Sequence, residues 1–133
     1  MVETNAKTAY TSEIVSPAAS TEYEDEIGLM YVSDYMYAAS PTYWSYSGHN
    51  SSDATKDYSA AINENWMCSG VYEWSIARNS DIYSYSFFVR NMGYVDYTYV
   101  SSNYGIRPVF NLKSSVVWEG GDGSQNSPYR VGL

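Results

Sequence analysis

The stretch Ile82-Tyr83-Ser84-Tyr85-Ser86-Phe87-Phe88-Val89-Arg90-Asn91-Met92-Gly93-Tyr94-Val95-Asp96-Tyr97-Thr98-Tyr99-Val100 decides the fold. Two runs rich in aromatic and β-branched residues, Ser84 to Arg90 and Gly93 to Val100, flank Asn91-Met92-Gly93. That pattern predicts two antiparallel strands joined by a hairpin turn. Upstream, Tyr72-Glu73-Trp74-Ser75-Ile76 alternates and predicts a strand with Tyr72, Trp74 and Ile76 on one face. Downstream, Gly105 to Leu112 extends the antiparallel set. Ser115 to Trp118, a Gly-rich turn over Glu119 to Ser127, and Tyr129-Arg130-Val131 close the chain.

Towards the N-terminus, Ile27-Gly28-Leu29-Met30-Tyr31-Val32 is short enough for a buried strand. Ser33 or Asp34 can cap a short helix through Ala39, which Pro41 stops. Thr42 to Asp57 is polar and reads as a long loop. Asp57 to Trp66 predicts a second short helix with Tyr58, Ala61, Ile62 and Asn65 on one side. Residues 1 to about 24 are Thr, Ser, Ala and Glu with Pro17 and little periodicity, and read as linker or spacer. The expectation is an α+β domain over 25–133, with short antiparallel strands, one or two small helices and long loops.

Composition narrows the function. Apolar residues make up 44% of the 133, enough for a core without metal or disulfide staples. Seven basic residues against fifteen acidic give a net charge of −8, which repels phosphate backbones and anionic membrane surfaces. No apolar run has transmembrane length. Met1-Val2-Glu3-Thr4-Asn5 lacks the basic start and apolar middle of a signal peptide. The chain is therefore either made for the cytoplasm or a piece from which an export signal has been removed. Few lysines beside abundant Tyr, Ser, Thr and Asn suit an extracellular surface and favour the second reading. Cys68 is the one cysteine; beside Trp66 and Met67 it reads as a buried, inert thiol.

Three further segments carry a resemblance. They are Ile27 to Tyr35; Trp66 through Trp74-Ser75-Ile76-Ala77-Arg78-Asn79-Ser80 to Val95; and Tyr104-Gly105-Ile106-Arg107-Pro108-Val109-Phe110-Asn111-Leu112-Lys113-Ser114, followed by Gly121-Asp122-Gly123-Ser124 and Ser127-Pro128-Tyr129. This pattern resembles the C-terminal module of many exported Firmicutes proteins, often behind a type IV pilin-like N-terminus. That module is similar to the C-type-lectin-like fold of formylglycine-generating-enzyme relatives and of variable proteins from diversity-generating retroelements. The resemblance covers roughly residues 25 to 133 and is most specific at Gly105-Ile106-Arg107-Pro108-Val109. It implies a C-type-lectin-like fold displayed outside the cell or on a phage. Members often carry a cysteine pair in the middle region, which a lone Cys68 cannot form. Within this frame Arg107 pins a loop, through a carboxylate such as Asp34 or through backbone carbonyls. Trp66, Trp74 and Phe110 are expected in the core.

Catalytic chemistry finds little support. His49 is the sole histidine and sits in a Ser/Gly/Asn loop, so neither a triad nor a His-rich zinc site can be assembled. Formylglycine-generating relatives work through cysteines, and one is too few. Glu22, Glu24, Asp25 and Glu26 read as a solvated linker end. Glu119 to Asn126 offers oxygens and turn glycines but departs from EF-hand spacing, and a tight turn is the better reading. No cofactor, metal or nucleic-acid partner is expected, nor direct membrane insertion.

Sixteen tyrosines mixed with Ser, Asn and Asp have the composition of an evolved binding surface, large rigid rings beside adaptable hydrogen-bonding groups. The plainer reading is that tyrosine favours strands. The expected ligand face comprises Asn79, Asp81, Tyr83, Tyr85, Tyr94, Asp96, Tyr97, Tyr99, Asn103 and Tyr104, joined by Tyr43, Trp44 and Tyr46 of the long loop. The likeness to variable proteins adds that these positions hold residues which adenine-directed diversification scatters. A protein or glycan ligand is expected, protein being favoured. The alternative is a structural pilin-tip or phage-fibre domain that packs against other subunits.

Overall fold

The computed structural model describes residues 5–17, 25, 27–43 and 63–132. Its centre is a three-stranded antiparallel sheet in the order β2 (Glu73–Arg78), β3 (Tyr85–Val89), β4 (Val95–Tyr99). Ser84 O accepts from Val100 N at 3.0 Å and Tyr94 O from Arg90 N at 2.8 Å. The intervening odd-numbered pairs Tyr85–Tyr99, Phe87–Tyr97 and Val89–Val95 are therefore the non-hydrogen-bonded ones, whose side chains approach most closely. The hairpin turn falls at Asn91-Met92-Gly93, as the pattern predicts. Gly93 N donates to Arg90 O at 2.8 Å, and Gly93 takes a φ of 81°, which an L side chain resists.

One sheet face is the core face. Phe87, Val89 and Val95 pack there with Met30 and with Val32, Tyr35 and Met36 of α2 (Val32–Tyr37). Tyr35 ties the helix to the hairpin by donating its hydroxyl to Gly93 O at 2.8 Å. Burial, the largest influence on it, raises that phenol well above its ordinary range. A bulge in β2 between Trp74 and Arg78 interrupts the ladder, and serines repair it. Ser75 donates to Phe87 O at 3.0 Å and Ser86 to Ala77 O at 2.8 Å.

Residues 5–17 lie in the stretch whose composition reads as spacer, yet they are helical and packed on the body. α1 (Ala6–Tyr10) is capped by Asn5, whose Oδ1 accepts from Thr8 N at 3.0 Å. It continues as a π-helical turn, Thr11–Val15, where Thr11 and Ser12 hydroxyls donate back to the carbonyls of Lys7 and Thr8. Ala6 and Ala9 are fully buried in the core. Alanine at those two sites lets α1 approach closely, a stripe too narrow to register as amphipathic periodicity.

From this helix Glu13 reaches the start of α2. Its Oε1 accepts from Val32 N at 2.8 Å and Oε2 from Ser33 N at 2.9 Å. Asp34 Oδ2 accepts from Tyr31 N at 3.1 Å. The helix thus begins one or two residues before the expected Ser33 or Asp34 cap, because a remote carboxylate does the capping.

The remaining strands are short. β1 (Gly28–Leu29) pairs with β5 (Pro108–Val109), the only part of the expected Gly105–Leu112 strand that forms a ladder. Gly105 makes a bridge to β2 instead, donating to Tyr72 O at 2.8 Å and accepting from Trp74 N at 3.0 Å. β6 (Val117–Gly120) and β7 (Arg130–Gly132) form a separate hairpin. The architecture is α+β. Among the described residues, no helix is long and apolar enough to cross a membrane. The expected loop over 42–57 lies outside the described residues beyond Tyr43, as does the expected 57–66 helix before Asn63. Asn63 and Glu64 are helical, and Asn65 bridges to Ala39.

Candidate functional site

At the far end of the core face, beyond the reach of α2, the close-approach pairs become tyrosines. The Tyr85 and Tyr99 rings meet edge to face at 4.3 Å, and Tyr85 and Tyr97 lie 5.8 Å apart. Tyr97 also packs edge-on against the core residue Phe87 at 5.9 Å. The cluster runs from the buried core to Tyr99, which is 56% exposed. A side-chain hydrogen bond with Tyr99 is the main influence holding the Tyr85 hydroxyl above its ordinary ionisation range.

Tyr83, in the β2–β3 connection, is 94% exposed. Its turn is held by Asn79, whose Oδ1 accepts from Asp81 N at 2.9 Å and Ile82 N at 3.0 Å. Asn79 is itself buried. It is a scaffold for the turn rather than a contact residue, which corrects its expected place on the ligand face. Asp81 and Asn103 are exposed, Asn103 just past a turn in which Ser102 N donates to Tyr99 O at 3.0 Å.

Three other expected face residues lie on the opposite side of the sheet. Even-numbered positions of β3 and β4 point there, and with them Tyr94 and Asp96. Tyr94 is 6% exposed. Arg90 Nη1 donates to its hydroxyl at 2.6 Å and to Asp96 Oδ2 at 3.2 Å. The Arg90 guanidinium also lies 5.3 Å from the Tyr94 ring centre and 5.9 Å from that of Tyr72. Tyr104 folds over this side, 4.6 Å from Phe88, 5.0 Å from Trp74 and stacked on Tyr72 at 5.1 Å. These rings cover a sheet face that no helix among the described residues covers, and Tyr94 is part of that cover. The single face expected from sequence is therefore divided: Tyr85, Tyr97 and Tyr99 come together, Tyr83 projects into solvent from the β2–β3 turn, and Tyr94, Asp96 and Tyr104 lie on the other side. Tyr43 is half-buried at the end of a 3-10 turn, Pro41–Tyr43. Trp44, Tyr46 and His49 lie outside the described residues.

Arg107 acts as a pin, with Glu73 as its carboxylate in place of Asp34. The two form an ion pair, and Arg107 Nη2 also donates to Met67 O at 2.7 Å. Glu73 is nearly buried, so the pair ties the strand β2 to the segment leading into β5. Trp66 and Phe110, expected in the core, are instead 80% and 67% exposed. They line an open cleft of about 790 Å³ between α1, β1, α2 and β5, with Ile14, Ile27, Tyr31 and Tyr37. None of the described residues of the expected ligand face borders it. The apolar residues that line it look like core residues in sequence, which hides the cleft from a pattern reading.

Cys68 is half-buried. Among the described residues, no group of three or more His, Cys, Asp or Glu could hold a metal ion. In the Gly-rich turn, Asp122 Oδ1 accepts from Ser124 N at 2.9 Å, and its hydrogen bonds with Ser124 hold that carboxyl below its ordinary range. Compared with protein-family models, curated proteins and solved structures, the chain matches none.

Proposed function

We propose that the chain is a non-enzymatic recognition module of C-type-lectin-like fold, displayed outside the cell, that binds a protein or glycan through Tyr83, Tyr85, Tyr97 and Tyr99. The observation that carries this reading is the graded tyrosine cluster: Tyr97 is anchored on Phe87, Tyr85 is braced by its neighbours, and Tyr99 is presented to solvent, with Tyr83 exposed on the β2–β3 turn outside the cluster. Rings held this way lose little conformational freedom on binding, and their hydroxyls can still orient a partner. Protein is favoured over glycan. Tyrosine with Ser, Asn and Asp nearby suits protein contacts, and nothing in the sequence points to the calcium through which many lectins hold sugars.

The test is saturable binding of the labelled chain to intact bacterial and animal cells. Protease treatment of the cells should abolish the signal and glycosidase treatment should spare it. The reverse pattern makes the ligand a glycan and overturns the preference for protein. Binding that Tyr83→Ala/Tyr99→Ala leaves unchanged removes the tyrosine cluster from the site.

A further inference from the structure

The cleft between α1, α2 and the β1–β5 pair is a second surface, independent of the tyrosine cluster. α2 buries Val32, Tyr35 and Met36 in the core. Tyr31, Asp34 and Tyr37, at every third position, share the opposite side of the helix and line the cleft. That wall is a carboxylate flanked by two phenol rings. Tyr10 of α1 extends it, meeting Tyr37 edge to face at 6.3 Å. The β1–β5 side contributes Ile27 and Phe110, and the segment before β2 contributes Trp66, all of them well exposed.

Charge says what such a cleft takes. Among its described lining residues the charged ones are Asp25 and Asp34, and none is Lys, Arg or His. Asp34 is exposed, and the Tyr31 N–H engages its Oδ2 alone, at 3.1 Å. The carboxylate therefore keeps acceptor sites for an incoming group. An anion would meet both acids, on a chain that already carries −8. A neutral apolar molecule would strip water from Asp34 with nothing to offset the loss. A cation gains from the carboxylate and again from the tyrosine rings on either side of it.

We infer that this cleft binds a small organic cation, an ammonium group joined to an apolar body. The ammonium sits at Asp34 between Tyr31 and Tyr37, and the body lies against Trp66 and Phe110. The volume of about 790 Å³ falls within the roughly 300–1,000 Å³ of sites that hold one drug-sized molecule.

The experiment is titration of the isotope-labelled full chain, followed by amide chemical shifts, with three probes of equal chain length: hexyltrimethylammonium, hexanol and hexanoate. The cation should shift the amides of residues 31–38 and 109–111 saturably, and the other two should bind about tenfold or more weakly. Asp34→Asn, whose amide oxygen can still accept from Tyr31 N, should weaken cation binding about fivefold and leave hexanol unchanged. Trp66→Ala, at a side chain the fold does not bury, should weaken cation and hexanol alike. Tyr83→Ala/Tyr99→Ala should bind the cation like the wild type, so the cleft and the tyrosine cluster stand or fall separately. No saturable shift of those amides up to about 50 mM cation, far above the expected affinity for a ligand of this size, overturns the inference. So does hexanol or hexanoate binding as tightly as the cation, or cation affinity that survives Asp34→Asn. Should that variant misfold by circular dichroism, the probe comparison on the wild type decides without it.

Discussion

Removing the Glu13 carboxylate should unfasten the N-terminal helix from the domain. Glu13 is the partner of two of the first backbone N–H groups of α2, those of Val32 and Ser33, at 2.8 and 2.9 Å. Those donors otherwise have no place within the helix. Replacing a capping side chain by alanine costs about 0.5–2 kcal/mol. Two bonds are lost here, but burial of the carboxylate already offsets part of their value, so Glu13→Ala should cost about 1–2 kcal/mol. In a domain of this size that lowers Tm by about 3–6 °C. Urea unfolding gives the free energy, and amide exchange locates it. The Val32 and Ser33 amides should lose protection first, while those of Phe88 and Asp96, a hydrogen-bonded pair of the ladder, should follow only the global change. Unchanged stability together with unchanged exchange at Val32 and Ser33 would refute the capping role.

The same residue sets a pH dependence whose sign follows from its surroundings. Burial, the largest influence, pushes the Glu13 carboxyl above its ordinary range, and hydrogen bonds with Ser33 and Val32 hold back part of that rise. A carboxyl raised in the folded state contributes stability that is fully present below the ordinary carboxylate range and lost as pH rises through its raised value. The stability of the wild type relative to Glu13→Gln should therefore fall across that mildly acidic window and then level off. A difference that grows with pH there would show that the helix N–H groups outweigh burial.

Tyr94→Ala should destabilise the domain by about 2–4 kcal/mol, because it empties a buried site and strips Arg90 of a partner; Tyr99→Ala should cost under about 1 kcal/mol. Equal losses in thermal unfolding would contradict the division of the tyrosines between two faces. Arg107→Ala should cost about 2–4 kcal/mol by leaving the nearly buried Glu73 unpaired. Arg107→Lys should recover only part of that, since Nη2 makes both bonds and a lysine ammonium ends one bond short of its position; full recovery in urea titration would count against the pin. Gly121→Ala places a Cβ 2.0 Å from Pro128 O at a φ of +94°. Amide protection should then fall over 117–132 but not over β3 and β4, and intact protection of the hairpin would contradict that geometry.

Local pattern sufficed where neighbours in sequence are neighbours in space. The β3–β4 hairpin with its Gly93 turn, the β2 strand and the α+β class all follow from alternation and turn chemistry. What the sequence concealed depends on contacts far apart in the chain. Ala6 and Ala9 bury against α2 without an amphipathic stripe, and Glu13 caps a helix from 19 residues away. The tyrosines were legible as a group but not by face. Alternation separates Tyr94 and Asp96 from Tyr97 and Tyr99, yet it does not say which side α2 covers. Residues such as Trp66, Phe110 and Trp118 carry the strongest core signal in the chain and are exposed. Hydrophobicity reports the tendency to be covered, not whether the covering group belongs to the same described surface.

The proposed recognition of a ligand rests on Tyr99, packed against Tyr85, and on the exposed Tyr83. Biolayer interferometry tests it most directly, with the wild type and Tyr83→Ala/Tyr99→Ala run against a panel of immobilised cell-surface proteins and glycans. The wild type should bind at least one panel member saturably, and the variant about tenfold or more weakly, while the variant's circular dichroism and Tm stay those of the wild type. No saturable binding across the panel, or equal affinity for both chains, would contradict it.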